Sequence, residues 1–306
     1  GRPFRIHVGV GRWHEKLLID KPNIHLIGAH RNGSVLSFDA AAGMTGPDGK
    51  PWGTWGCASV TVRAPDFRAS NLSIVNDFDY IGNLSAPKFE VIGPNGAQAV
   101  ALMLADGNDR CVIQNVDIIG HQDTLFVESG RSLFRDCRIS GSVDFIFGAG
   151  QAFLDHCDIV SRYRPGKERQ GYIAVPSTPE TQPTGLVFSH CRLQREPEIP
   201  DASVALGRAW RPGRQFADGR YGDPTAVGSA VFLHCWMDSH IDPNGWDAMA
   251  YTARSGERVL LQPEQARLFE YASTGPGAQL TPSRRQLDSL AQMNYTREHM
   301  FGDWQP

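Results

Sequence analysis

Apolar residues in this chain come in short runs of β-branched and aliphatic side chains, often alternating with polar ones, and Gly, Asn, Asp or Pro separates the runs. Ile24-His25-Leu26-Ile27, Leu72-Ser73-Ile74-Val75 and Ala99-Val100-Ala101-Leu102 are examples. A period of two predicts strands, and no long amphipathic pattern interrupts residues 1 to 260. One unit recurs, a cysteine with an apolar residue two positions on. It occurs at Cys111, Cys137, Cys157, Cys191 and Cys235, at intervals of 26, 20, 34 and 44 residues. Related units without cysteine start at Pro22 and Ala69. Irregular repeats of roughly 20 to 25 residues with several strands and no helix predict stacked β-coils, the long intervals being loop insertions. The expected fold is therefore all-β, a parallel β-helix. A β-sandwich has similar turn spacing but no need for the same unit five times. One domain is expected over residues 1–306, with the polar stretch from about 282 to 306 forming a short helix or irregular tail that caps the last coil.

Composition narrows the function classes. The 30 Lys and Arg are scattered among 33 Asp and Glu, with a net charge of -3 and no basic run, so a nucleic-acid partner is not expected. No apolar stretch approaches the roughly 18 to 20 residues of a membrane-spanning helix. The chain opens on Gly1-Arg2-Pro3-Phe4 and runs straight into a strand-like segment, so an upstream segment, including any amino-terminal cap and signal peptide, is expected to have been removed. The six cysteines form no Cys-x-x-Cys or Cys/His cluster that reads as a zinc or redox site. Their recurrence in one local pattern favours an oxidising compartment, with buried small hydrophobes as the alternative.

If coils stack, residues one repeat apart lie about 4.8 Å from each other. Asp123 and Asp144 are 21 residues apart, close to the 20 that separate Cys137 from Cys157, so the two carboxylates are expected to face each other. Both sit inside apolar text, Gly120-His121-Gln122-Asp123-Thr124-Leu125-Phe126 and Gly141-Ser142-Val143-Asp144-Phe145-Ile146-Phe147-Gly148. Gln98 is placed to add an amide from the preceding coil. Paired carboxyls that cannot easily both ionise suit one as anion and the other as proton donor. Solenoid Asp residues also serve as turn residues, and glycoside hydrolases use paired carboxyls too.

At these residues the sequence resembles the pectin methylesterase (pectinesterase) family, and its tail resembles the bacterial branch. Four segments carry the resemblance in order: Gln98, Gln122-Asp123-Thr124-Leu125, Asp144-Phe145-Ile146-Phe147-Gly148 and Leu206-Gly207-Arg208-Ala209-Trp210. Ala209 stands where the family usually has Pro, and His121 and Phe126 flank the Gln-Asp motif where Tyr is common. The resemblance implies a right-handed, pectin-lyase-like solenoid that removes methyl esters from homogalacturonan. It implies Asp144 as nucleophile, Asp123 as general acid and base, Gln98 and Gln122 as oxyanion donors, and Arg208 as the residue that orients Asp144. Trp210, Phe147, Phe126, Thr54 and Met249 are the implied walls of the substrate groove. No metal or cofactor is implied. Methylated pectin is the expected partner, the chain acting as a monomer exported to the medium, periplasm or outer membrane.

The resemblance also implies a disulfide between Cys137 and Cys157, although a dry stack of thiols satisfies the same spacing, and Cys191 and Cys235 can form a second bridge only if the intervening 44 residues fold away as loop. Three other readings compete. A glycoside hydrolase or calcium-dependent lyase of similar fold needs further carboxylate, His or acidic ligand motifs beside the Asp pair, and none is found. A non-catalytic polysaccharide-binding solenoid has no reason to keep the five polar residues together. An esterase or thioesterase acting on a non-pectin acyl group retains the chemistry with a changed groove.

Overall fold

The computed structural model describes residues 3–85, 92 and 96–306. Among the described residues the strands form three long parallel sheets of nine, eight and seven strands. The first seven coils give one strand to each sheet, the eighth gives one to each of the two larger sheets and the ninth one to the nine-stranded sheet alone, and every strand in them pairs with its neighbours on the adjacent coils, which is a parallel β-helix. Inside it, like stacks on like. The nine-stranded sheet points Leu26, Ala69, Ile113, Phe134, Leu154, Phe188 and Phe232 inward in one continuous register. The eight-stranded sheet does the same with Leu36, Ile74, Ile118, Ile139, Ile159, Leu193 and Met237. All are buried. Burying one such aliphatic or aromatic side chain contributes about 1.5–3 kcal/mol, so the rows stabilise the stack coil by coil.

Corners between the first two sheets are made by Asn71, Asn115, Asp136, His156, His190 and His234, all with φ between 52° and 57°. Asn, Asp and His are the non-glycine residues that best tolerate this left-handed region. The residue after each corner is Leu72, Val116, Cys137, Cys157, Cys191 or Cys235, and its carbonyl accepts from the coil above, as in Asp158 N to Cys137 O at 2.9 Å. The coil lengths are therefore 44, 21, 20, 34 and 44 residues. This corrects the expected repeat at one end. Cys111 opens the strand Cys111–Gln114 and pairs with Ser132. It follows Arg110, a left-handed residue at another corner, so the interval from Cys111 to Cys137 spans two non-equivalent positions. Cysteine is small and apolar enough to fit both places, and identity alone could not separate them.

The expected disulfides are not formed. All six cysteines are buried free thiols, and Cys137, Cys157, Cys191 and Cys235 make a row in which each thiol touches the next. Sγ of Cys137 donates to the carbonyls of Ile113 at 3.4 Å and Arg135 at 3.3 Å. Sγ of Cys157 donates likewise to those of Phe134 and Asp155 at 3.6 and 3.5 Å. Main-chain acceptors and apolar packing satisfy these thiols without a bridge.

The tail first pairs with the last coil, Gln286 bridging to Glu270, and then continues further than expected. The 3-10 helix Ala291–Tyr295 and the α-helix Arg297–Phe301 lie along the side of the solenoid. There Tyr295, Met300 and Phe301 cover Leu133, Phe153, Val187, Val231 and Leu233 on the outer face of the nine-stranded sheet. Arg131 fastens this docking through Asp303 at 2.6 Å and the Phe301 carbonyl at 2.8 Å. Upstream, Arg284 pairs with Glu270 where both are almost wholly buried.

Candidate active site

The loop insertions gather on the side of the seven-stranded sheet. Its strand Leu125–Val127 pairs with Ile146–Gly148, Leu125 opposite Ile146, so Asp123 and Asp144 occupy equivalent places two residues earlier on neighbouring coils. Both adopt left-handed backbone, with φ of 63° and 53°. Asp tolerates this conformation better than most residues, and held strain of this kind clusters at functional sites. The corner is pinned from below: Asp123 N donates to Val143 O at 3.0 Å, and Thr124 Oγ1 to Ser140 O at 3.2 Å. Two buried carboxyls are thereby held side by side, each less than a tenth exposed.

Their electrostatic settings differ. Arg208 follows the strand Val204–Gly207, two coils beyond Asp144, and its guanidinium lies 3.7 Å over the Tyr172 ring. From there its Nε donates to Asp144 Oδ1 at 3.0 Å and its second nitrogen to Oδ2 at 2.7 Å. Such a bidentate fork matches an ionised carboxylate and fixes its plane. Asp123 has no such partner. Burial and, next, the charge of Asp144 push its carboxyl well above the usual range, opposed only in part by Arg208. The pair therefore holds one proton on Asp123 beside one ion-paired carboxylate. His121, next to the motif, stays neutral: burial and the charges of Arg162 and Arg164 push it down to about 3, and its ring stacks on Tyr80 at 5.0 Å.

The carboxyls open into a cleft of about 120 Å³ lined by Thr54, Gln98, Gln122, Asp123, Asp144, Phe147, Val175, Trp210 and Met249. Gln98 Oε1 is buried there with no hydrogen-bond partner. Met249 comes from the hairpin Met249–Thr252 with Arg258–Leu261, and Trp210 from the insertion after Gly207. Of the residues expected at the site, all but two line this cleft. Arg208 stands behind Asp144. Phe126 is 1% exposed and stacks beneath Phe147, ring centres 4.2 Å apart, so it supports the wall instead of forming its surface.

Sequence reasoning missed Val175, Tyr172 and Trp55. Val175 follows Phe147 in strand register, a position that pairing alone reveals. Trp55 leans on Phe126 and Trp210 at 5.4 and 6.2 Å and is half exposed at the cleft edge, its Nε1 donating to Glu128. An exposed Trp beside Gly53 and Gly56 was the available signal. Ala209, which replaces a family Pro, is 2% exposed, and Trp210 N is held by Pro176 O at 2.9 Å. The Arg208–Trp210 segment is thus positioned without the proline ring.

This arrangement has close counterparts. Pectinesterase A of Dickeya dadantii is 44% identical over 308 residues, covering 99% of this chain and 84% of that protein. The crystallised pectin methylesterase from Erwinia chrysanthemi superposes with a TM-score of 0.96 at 44% identity, covering all of this chain and 90% of the other. A pectin methylesterase mutant in complex with a hexasaccharide superposes equally well, at a TM-score of 0.96 and 43% identity, with 100% and 90% covered. The family model described as Pectinesterase matches residues 1–301. A parallel β-helix with this cleft, matched from end to end in sequence and in structure, places the chain in the pectinesterase family.

Proposed function

We propose that the chain removes methyl esters from pectin with Asp144 as the nucleophile and Asp123 as the group that shuttles the proton. The observation that carries this reading is the asymmetry of the pair, a carboxylate clamped by Arg208 beside a carboxyl that keeps its proton. An Asp144 oxygen attacks the ester carbonyl of a galacturonate unit. The carbonyl π pair moves onto oxygen, where the amides of Gln98 and Gln122 donate to the oxyanion; one such donor is worth about 10² to 10³ in rate. Collapse expels methoxide, which takes the Asp123 proton and leaves as methanol, and an anhydride joins the galacturonyl group to Asp144. Asp123, now ionised, takes a proton from water as that water attacks the anhydride carbonyl. The adduct collapses by breaking its bond to the Asp144 oxygen, the galacturonic acid gives its remaining proton to solvent and leaves as carboxylate, and Asp144 and protonated Asp123 are restored.

Trp210, Phe147 and Met249 offer apolar surface on which a sugar ring can rest beside the carboxyls, with Thr54 as a polar neighbour. A polymer of cell-wall size does not cross a membrane, and we place the enzyme outside the cytoplasm for that reason. Among the described residues no helix is long and apolar enough to cross a membrane.

The test is methanol release from highly methylated pectin by the wild type and by Asp144→Ala, with viscosity and the ultraviolet absorbance of unsaturated products followed in the same samples. Methanol without chain cleavage, abolished in the variant, is the expected result. A folded wild type that yields no methanol overturns the substrate assignment and turns the search to other acyl esters. Full activity in Asp144→Ala overturns the nucleophile.

A further inference from the structure

The corners occupied by Asn and Asp on the early coils are occupied by His156, His190 and His234 on three consecutive later ones, with φ of 53°, 53° and 52°. The three rings stack. Their centres are 5.1 Å apart at 5° between the first two and 5.0 Å apart at 20° between the next, and Tyr271 closes the row edge-on at 5.3 Å. Stacking satisfies the faces of the imidazoles but leaves their nitrogen edges available. Asp155 and Ser189 are strand partners directly before two of these corners. Asp155 Oδ1 lies 2.8 Å from His156 Nδ1, and Ser189 Oγ lies 2.9 Å from His190 Nδ1. The two Nδ1 edges therefore share one side, next to a carboxylate. Donor atoms of Asp155, His156 and His190 all fall within 4.8 Å of one another.

The cluster borders a groove of about 330 Å³ lined on its far side by Tyr295, Thr296, Arg297 and Glu298 of the tail. It belongs to a different corner of the coil from the Asp123 and Asp144 pair, so the chemistry of the cleft leaves it unexplained.

We infer that Asp155, His156 and His190 form a binding site for a divalent ion of the zinc type, with water completing the coordination and the tail docked beside it. Two imidazoles and a carboxylate suit Zn²⁺, Ni²⁺, Co²⁺ or Cu²⁺ better than Mg²⁺ or Ca²⁺, which prefer all-oxygen sites. Tetrahedral zinc brings its donors to about 3.4 Å from each other, given bonds near 2 Å. His156 is 61% exposed at its side chain, so its ring can leave the Asp155 hydrogen bond and turn its Nδ1 lone pair to the ion, which the Asp155 carboxylate then binds directly. The ion would tie two successive coils together where the tail lies against them.

The experiment titrates the chelator-stripped full chain with ZnCl₂ by calorimetry and with CoCl₂ by visible absorption, followed by melting with and without Zn²⁺. One ion per chain, cobalt d–d bands and a raised melting temperature are expected. His156→Asn and His190→Asn are each expected to weaken binding at least about tenfold. Asn already forms this corner at Asn71 and Asn115, so both variants have a residue suited to the fold. The exposed His30→Ala control should leave binding unchanged. Absence of saturable binding, or equal affinity in the wild type and both Asn variants, overturns the site.

Discussion

Asp123 and Asp144 are chemically identical side chains at equivalent places on successive coils, and one guanidinium makes them different. Arg208 reaches Asp144 and leaves Asp123 to keep its proton under the combined effect of burial and its neighbour's charge. A pH dependence of stability follows. Above the ordinary carboxyl value near pH 4, the unfolded chain has lost the Asp123 proton while the folded chain still holds it. Folding then takes up a proton, so this contribution is complete below about pH 4 and is lost as pH rises through the raised folded value. Asp123→Asn removes the titration. Its unfolding free energy, measured in urea, should exceed that of the wild type by a margin that grows with pH from about 4 upward, by at most about 1.4 kcal/mol per pH unit in this window. A margin independent of pH would show that Asp123 is not held protonated.

At the scale of the element, strand register converts spacing into geometry. A corner two residues before Leu125 lies level with a corner two residues before Ile146 because the strands they begin are paired. The strand Val204–Gly207 must come close enough to deliver Arg208, and Gly207 permits it. A Cβ at this position would lie 1.9 Å from the Ala174 carbonyl oxygen, a main-chain atom that cannot step aside. Gly207→Ala should therefore displace the start of the Arg208 segment and reduce methanol release about 10²-fold, in line with the sensitivity of catalysis to a 1 Å misplacement. Far-ultraviolet circular dichroism should stay close to the wild type, since the other coils keep their register. Wild-type turnover in this variant would mean that Arg208 is positioned by Tyr172 alone.

Over the whole molecule, the tail joins the solenoid through a covered apolar face and a buried ion pair. Glu270 ends up almost wholly buried against Arg284, which also donates to the Gly277 carbonyl. Removing one partner of such a pair leaves an uncompensated buried charge and costs about 3–5 kcal/mol. Glu270→Gln should lower the unfolding free energy by an amount in this range, measured by urea denaturation. It should also increase dye binding to exposed apolar surface as the tail loosens from Leu133, Phe153 and Val231. A change below about 1 kcal/mol would place the docking energy in the apolar contacts alone.

The solenoid was legible in the sequence because every coil repeats the same physical demand: one apolar side chain inward from each strand, and a residue that tolerates left-handed backbone at each corner. Gln98, Gln122, Asp123 and Asp144 were legible together because their one-coil spacing survives any detail of the loops, whereas Arg208, two coils beyond Asp144, came only from the resemblance. Where the sequence failed, long-range packing decided. Cys111 matched the cysteine unit but lies at another corner, since identity does not carry strand position. Phe126 went beneath the cleft wall because Phe147 stacks above it. The thiols of Cys137 and Cys157 were satisfied by carbonyls of neighbouring coils. Past Gln286, which bridges to Glu270 on the last coil, the tail also went to the side of the solenoid, and a clue was present: Arg131–Arg135, Gln151–Asp155 and Ser229–Leu233 carry apolar residues on both faces, as strands do when both faces are covered. The chain alone determined what repeats and which two carboxyls face each other, because those follow from local conformation and spacing. Only the tertiary structure decided which carboxyl keeps the proton and what covers each outer face, because these depend on side chains brought together from distant coils.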